Sequence, residues 1–206
     1  MYRYFIKRFL DIIFSIIGLP FLLLVMIPIA IAIKLDDKGP VFYNASRLGK
    51  DMKEFKMYKF RTMKTNAPDI RNEDGSTFNS ENDSRVTTIG KVLRKTSLDE
   101  VPQLFNVLKG DMSFVGPRPS PLGNKDIYPK EFFEKFNVQP GITGYNQAVL
   151  RNKSTMEQRV QNDVFYVNSL SFVLDLKIIL LTAIAVVNSK NINRYDSKKE
   201  ERQLSE

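Results

Sequence analysis

The stretch in which reactive residue types are densest is Ser97-Leu98-Asp99-Glu100-Val101-Pro102-Gln103, which runs on to Gly116-Pro117-Arg118-Pro119. Asp99 and Glu100 are adjacent carboxylates, with Arg94 and Lys95 before them and Arg118 after. The chain contains no histidine and no cysteine, which removes imidazole bases, thiol nucleophiles, zinc clusters and disulfides from consideration. Any nucleophile or base must therefore be a carboxylate, a hydroxyl, a lysine or a tyrosine. With 31 Lys+Arg against 23 Asp+Glu the formal charge is +8, so anionic partners are expected: nucleotides, lipid phosphates, a membrane surface or nucleic acid. The same pair also has a reading without chemistry. Ser97 followed three residues later by Glu100 forms a capping box, and an acidic helix start more often caps than reacts.

The elements around the pair can be read from spacing. Val101, Leu104, Phe105 and Leu108 recur at helical intervals and Gly110 stops the run. Pro102 lacks a backbone N–H, which suits the first turn of that helix. Asp99 and Glu100 then fall at or beside the N-cap, where free N–H groups and the helix dipole favour anions. Downstream, the prolines of Gly116-Pro117-Arg118-Pro119 make a rigid turn that holds Arg118 in place. An arginine can grip phosphate with a forked pair of hydrogen bonds.

The N-terminal region has a different character. Ile12–Ile33 is a run of 22 residues without a charge, and a helix of that length reaches about 33 Å, enough to cross a bilayer core. It exceeds a signal-peptide apolar core and has no small-residue cleavage site after it, so it is expected to stay attached. Pro20 and Pro28 interrupt it, and basic residues flank both ends: Arg3, Lys7 and Arg8 before, Lys34 and Lys38 after. The positive-inside rule would keep both ends in the cytoplasm, which a kinked, re-entrant helix satisfies, while a tilted single span with the bulk of the chain cytoplasmic stays open. Next come strands expected near 41–43 and 55–62, the second alternating apolar and basic residues, with Arg47, Gly49 and Lys50 in the loop between. Thr65–Ser84 is a polar surface loop. The apolar run Ile178–Val187 is too short to span, leaving an interfacial helix or a core helix equally open. The chain thus divides into a membrane-embedded segment (1–36), a compact domain (37–187) and a polar tail (188–206). The expected class is α/β (α+β), with strand order not derivable.

The motifs together resemble a known family. Lys7-Arg8 with Asp11, Gly39-Pro40-Val41-Phe42, Tyr58-Lys59-Phe60-Arg61-Thr62-Met63, Ser97 through Pro119 and Pro140-Gly141-Ile142-Thr143-Gly144 occur in the family's order. Asp163-Val164-Phe165-Tyr166-Val167 and Ser171-Phe172 with Asp175-Leu176-Lys177-Ile178 complete the set. The chain resembles the bacterial sugar transferases, monotopic phosphoglycosyl transferases of the small single-domain type. It departs from them in two places. Leu150 precedes Arg151-Asn152 where members often carry glycine, and Pro20 and Pro28 stand in for a Ser-Pro break.

The resemblance implies transfer of a sugar-1-phosphate from a UDP-sugar to polyprenyl (undecaprenyl) phosphate, with UMP released, at the cytoplasmic face of the bacterial plasma membrane. By position it makes Asp99 the nucleophile, forming an aspartyl phosphosugar, and Glu100 the ligand of Mg²⁺. It assigns Lys59, Arg61, Arg85, Arg94, Arg118, Arg151 and Asp163 to phosphate or substrate binding. It implies a re-entrant helix hairpin, interfacial amphipathic helices and membrane lipid as a partner, with downstream glycosyltransferases as further ones. Physical chemistry accommodates these roles. A carboxylate nucleophile needs no proton removed at neutral pH. An anion attacking a phosphate diester needs a hard cation and positioned guanidiniums. Two other classes remain open: a membrane-attached basic binding module without catalysis, and a direct glycosyl transferase that releases UDP. Nucleic acid is disfavoured, since aromatic residues do not interleave with a continuous basic stripe.

Overall fold

The structure is a computed structural model that describes every residue except 71–77, 79, 81, 124–127, 151–153 and 188–206. The Thr65–Ser84 loop is thus described in part, and Arg151 and the polar tail lie outside the described residues.

Helix α1 (Lys7–Asp37) follows one π-helical turn and contains both Pro20 and Pro28. Its buried residues are Lys7, Asp11, Ser15, Leu22 and Ile33. Steps of four, seven and eleven return to one side of a helix, so a single stripe docks on the domain over the whole length. The other side is apolar and open, with Phe9, Phe14, Ile17, Phe21, Leu24, Ile27, Ile31 and Leu35 exposed. By length and composition α1 could cross a membrane.

Strands β1 (Phe42–Leu48) and β2 (Glu54–Phe60) form an antiparallel hairpin in register from Phe42↔Phe60 to Leu48↔Glu54. The first strand extends past residue 43 and takes in Arg47, so the loop expected there begins instead at Gly49. The mostly polar run Phe42-Tyr43-Asn44-Ala45-Ser46-Arg47-Leu48 shows little alternation, and its partner strand decides its state. Alternation then sends the two faces of β2 to different neighbours. Met57 packs with Ala45, Val107 and Met112, and Phe60 packs with Ile33 of α1 and Leu93 of α2 (Thr88–Thr96).

After α2 come a 3-10 turn (Leu98–Gln103) and α3 (Leu104–Lys109). β3 (Ser113–Val115) pairs parallel with β5 (Gly141–Thr143), and β4 (Ser120–Pro121) adds to the free side of β1. Helices α4 (Tyr145–Val149), α5 (Met156–Ser169) and α6 (Phe172–Val187) close the fold over Val115, Val138, Tyr166, Val167 and Ile178. The architecture is a mixed helix-and-sheet domain with one long apolar N-terminal helix. α6 is not a core helix: Phe172, Val173, Leu176, Leu180 and Ile184 are exposed, and Asp175 and Ile178 face inward.

Asp175 fastens the N-terminus. Its carboxylate accepts from the Tyr2 hydroxyl (2.6 Å), from Lys7 Nζ (2.6 Å) and from the Tyr166 hydroxyl (2.8 Å). Burial and this neighbouring negative charge drive both tyrosine hydroxyls well above their usual pKa, so they remain donors.

Candidate active site

Ser97 closes α2 in the left-handed conformation (φ 59°) and its side chain caps nothing, so the capping box expected from Ser97 and Glu100 does not form. The reversal at Ser97 instead starts a 3-10 turn that presents Asp99 and Glu100 between two helices. Pro102 sits in that turn, where its missing N–H costs no ladder bond.

Lys59 reaches the pair from β2. Its Nζ lies 2.5 Å from Glu100 Oε1 and 3.8 Å from Asp99 Oδ2. Arg118 comes from the turn after β3 and donates to the same Glu100 oxygen at 3.3 Å, with half of its side chain still exposed. That turn is seated by close backbone approach. A Cβ on Gly116 would stand 2.4 Å from the Gln139 carbonyl oxygen, so no side chain fits there. Asn106, fully buried, holds β2 against α3 by accepting from the Tyr58 N–H (2.9 Å) and donating to the Lys56 carbonyl (2.7 Å). Arg94 donates from Nε to Thr62 Oγ1 (3.0 Å), and its charge acts on Asp99.

The two carboxylates are therefore unequal. Burial would raise Glu100, but the charges and hydrogen bonds of Lys59 and Arg118 outweigh it and bring its pKa down to about 2. Asp99 is raised, first by burial, against the pull of Lys59, and further by the Glu100 charge; Arg94 and Arg118 oppose the rise. Among the described residues no hydrogen bond reaches the Asp99 carboxylate, and Lys59 is its one ion pair. Glu100 is an engaged anion, and Asp99 is a carboxylate left available to attack an electrophile.

Among the described residues no group of three or more acidic side chains converges. Asp99 and Glu100 are hard oxygen donors, and magnesium is usually held by one or two carboxylates with phosphate and water oxygens completing the shell. The pair fits such an ion in the presence of a phosphate ligand.

The expected site residues separate into two groups. Asp99, Glu100, Lys59 and Arg118 are brought together, with Arg94 beside them. Arg61 is committed to α1: it pairs with Asp37 and donates to the Met63 carbonyl (3.1 Å). Arg85 is buried against Asp83 (2.6 Å) and donates to the Pro68 carbonyl (2.8 Å). Asp163 is buried 3.0 Å from Lys135. Asn106, Thr62 and Lys135 carry no sequence-level mark of these roles, because their partners are 20 or more residues away.

A family model described as bacterial sugar transferase matches residues 2–189. The chain is 38% identical over 184 residues to the UDP-N-acetylgalactosamine-undecaprenyl-phosphate N-acetylgalactosaminephosphotransferase of Aeromonas hydrophila, covering 86% of this chain and 43% of that one. It is 39% identical over 200 residues to the UDP-glucose:undecaprenyl-phosphate glucose-1-phosphate transferase of Xanthomonas campestris, covering 91% and 40%. It is also 38% identical over 197 residues to the uncharacterized sugar transferase EpsL of Bacillus subtilis, covering 96% and 95%. The chain thus spans about two fifths of the first two relatives and nearly all of the third.

The raised Asp99 has a consequence for stability. A carboxyl whose folded pKa lies above its unfolded value loses stability as pH rises through that interval, so the ionised group is a cost at pH 7. Asp99→Asn removes this cost and is expected to raise the thermal midpoint at pH 7, with the gain shrinking as pH falls. Scanning fluorimetry in detergent measures it, and an unchanged or lower midpoint would contradict the electrostatics described.

Proposed function

The chain belongs to the bacterial sugar transferase family, and on that premise we propose that it transfers a sugar-1-phosphate from a UDP-sugar to polyprenyl phosphate. The observation that carries this reading is the inequality of the pair: Glu100 held by Lys59 and Arg118, Asp99 without a hydrogen bond among the described residues. An Asp99 oxygen attacks the sugar-bearing phosphorus, and the bond from that phosphorus to the bridging oxygen breaks. UMP departs with the electron pair, leaving an aspartyl phosphosugar. An oxygen of polyprenyl phosphate then attacks the same phosphorus, the aspartyl–phosphorus bond breaks and Asp99 returns as a carboxylate. Lys59, Arg94 and Arg118 hold the phosphates and offset the charge of an anion approaching an anion. Magnesium, held by Glu100 when bound, neutralises the diphosphate. Two separate steps also let a soluble donor and a lipid acceptor use one site in turn.

The same reading makes the protein monotopic, on the cytoplasmic face where nucleotide sugars are found. Support comes from the two ends of α1. Lys7 is bonded to Asp175 and Asp37 to Arg61, so both ends belong to one folded body. A helix crossing a bilayer would carry those ends about 30 Å apart on opposite sides. With its outer face apolar throughout, α1 enters one leaflet and returns, and the exposed side of α6 lies at the interface.

Two experiments follow. With a UDP-sugar, Mg²⁺ and polyprenyl phosphate, the nucleotide released is expected to be UMP, and Asp99→Asn to abolish it. Release of UDP would instead mean direct glycosyl transfer, and no nucleotide at all a binding module. For topology, single cysteines at Tyr4 and Lys34 in this cysteine-free chain are expected to react from the same side of sealed vesicles; labelling from opposite sides would establish a spanning helix.

A further inference from the structure

A cleft of about 480 Å³ opens along β1, lined by Tyr43, Ala45, Ser46, Arg47, Pro121 and Leu122 among others. We propose that it takes the nucleoside half of the nucleotide sugar, base and ribose, with the Tyr43 ring as the surface on which the base stacks. The assignment rests on the transfer reaction above and names where its donor sits.

The β1–β2 register places the cleft. Tyr43 stands directly opposite Lys59, whose Nζ is bonded to Glu100. Directly opposed residues on neighbouring antiparallel strands have side chains on the same face, with Cβ atoms about 4.5–5.5 Å apart. Tyr43 therefore shares a face with Lys59, and from Tyr43 the cleft runs along β1 past Ala45, Ser46 and Arg47. The far wall joins the site as well. β4 pairs with β1 at Arg47↔Pro121 and Leu48↔Ser120, and Arg118 lies only two residues before Ser120. The cleft therefore begins one cross-strand step from Lys59 and a short stretch of chain from Arg118, the two cations on Glu100. A ligand with its diphosphate at those cations would extend its remaining half into this space.

The lining suits a nucleoside. The volume lies within the range of small-molecule sites, about 300–1,000 Å³. Tyr43 is 58% exposed although it sits in a paired strand, which leaves its ring open to a flat partner. Stacking on an aromatic ring is a general way to hold a nucleobase. Leu122 and Pro121 add apolar wall, and Asp69 and Arg47 make the rest of the lining charged. A Cβ on Gly123, also in the lining, would meet nothing within 4 Å, so that side stands open. A long polyprenyl chain does not match this small, partly charged space, and it has the exposed apolar side of α1 for a neighbour.

The test is binding, not turnover. Calorimetry on the full chain in detergent with Mg²⁺ would compare UMP with inorganic pyrophosphate for the unaltered protein, Tyr43→Ala and Tyr43→Phe. Tyr43→Ala is expected to weaken UMP about tenfold and to leave pyrophosphate within twofold, and Tyr43→Phe to keep UMP affinity. UMP affinity unchanged in Tyr43→Ala, equal loss of pyrophosphate, Tyr43→Phe as weak as Tyr43→Ala, or no UMP binding by the unaltered protein would each overturn the assignment. The two readings fail separately. UMP bound through Tyr43 but never released from a UDP-sugar would retain the cleft and sink the transfer reaction. UMP released from the donor with Tyr43→Ala binding it normally would sink the cleft alone.

Discussion

Glu100 is the point at which three distant parts of the chain are tied. Lys59 approaches it from a strand 41 residues earlier and Arg118 from a turn 18 residues later. Bringing these charges out of water is unfavourable, and their attraction offsets the loss only where geometry is good and other hydrogen bonds are satisfied. The surrounding structure meets those conditions. Asn106 fixes the strand that carries Lys59, and the closely packed Gly116 backbone fixes the turn that carries Arg118. With Lys59 and Arg118 bonded to Glu100, Asp99 is left little solvated and, among the described residues, without a hydrogen bond, with Lys59 3.8 Å away. A nucleophilic carboxylate needs that state: an anion satisfied by strong donors is a poor attacker. The site thus distinguishes two identical functional groups by their neighbours, one bonded to two cations and one with a raised pKa.

The long helix is joined to this arrangement at several points. Arg8 donates to the carbonyls of Val107 and Leu108 (2.8 Å to the latter), closing the C-terminal end of α3. The Asp36 carboxylate accepts from the Ile89 N–H (2.8 Å) at the start of α2, where it complements the free N–H groups. Arg61, which pairs with Asp37, follows Lys59 by two residues. Both helices that flank the acidic pair, and the strand that carries its lysine, are therefore fastened to α1. A helix whose outer face is apolar and exposed thus also fixes the frame of the polar site on its inner one.

How much of this could be read from the sequence depended on range. The acidic pair, the Gly-Pro-Arg-Pro turn and the uncharged N-terminal stretch are local patterns; the first two meet at Glu100, and the third forms one long apolar helix. The capping box is a local pattern too, yet it does not form, because Ser97 takes a positive φ where α2 ends and its side chain bonds no N–H of the 3-10 turn that follows. β1 was read short because its polar residues gain strand state only from pairing with β2. Arg61, Arg85 and Asp163 carry the right chemical types but are each committed to a local or buried counter-ion. Charge type is written in the sequence; which charges neutralise one another is decided by the fold.

The claim on which the rest turns is that Asp99 becomes covalently attached to the phosphosugar. Intact mass of the purified chain, after incubation with a UDP-sugar and Mg²⁺ but no lipid acceptor, tests it most directly. The predicted result is a gain of one phosphosugar, located on the peptide containing Asp99, absent from Asp99→Asn and removed when polyprenyl phosphate is added. An unmodified mass in a preparation that releases UMP once acceptor is supplied would contradict it, since transfer would then proceed without the carboxylate as a carrier.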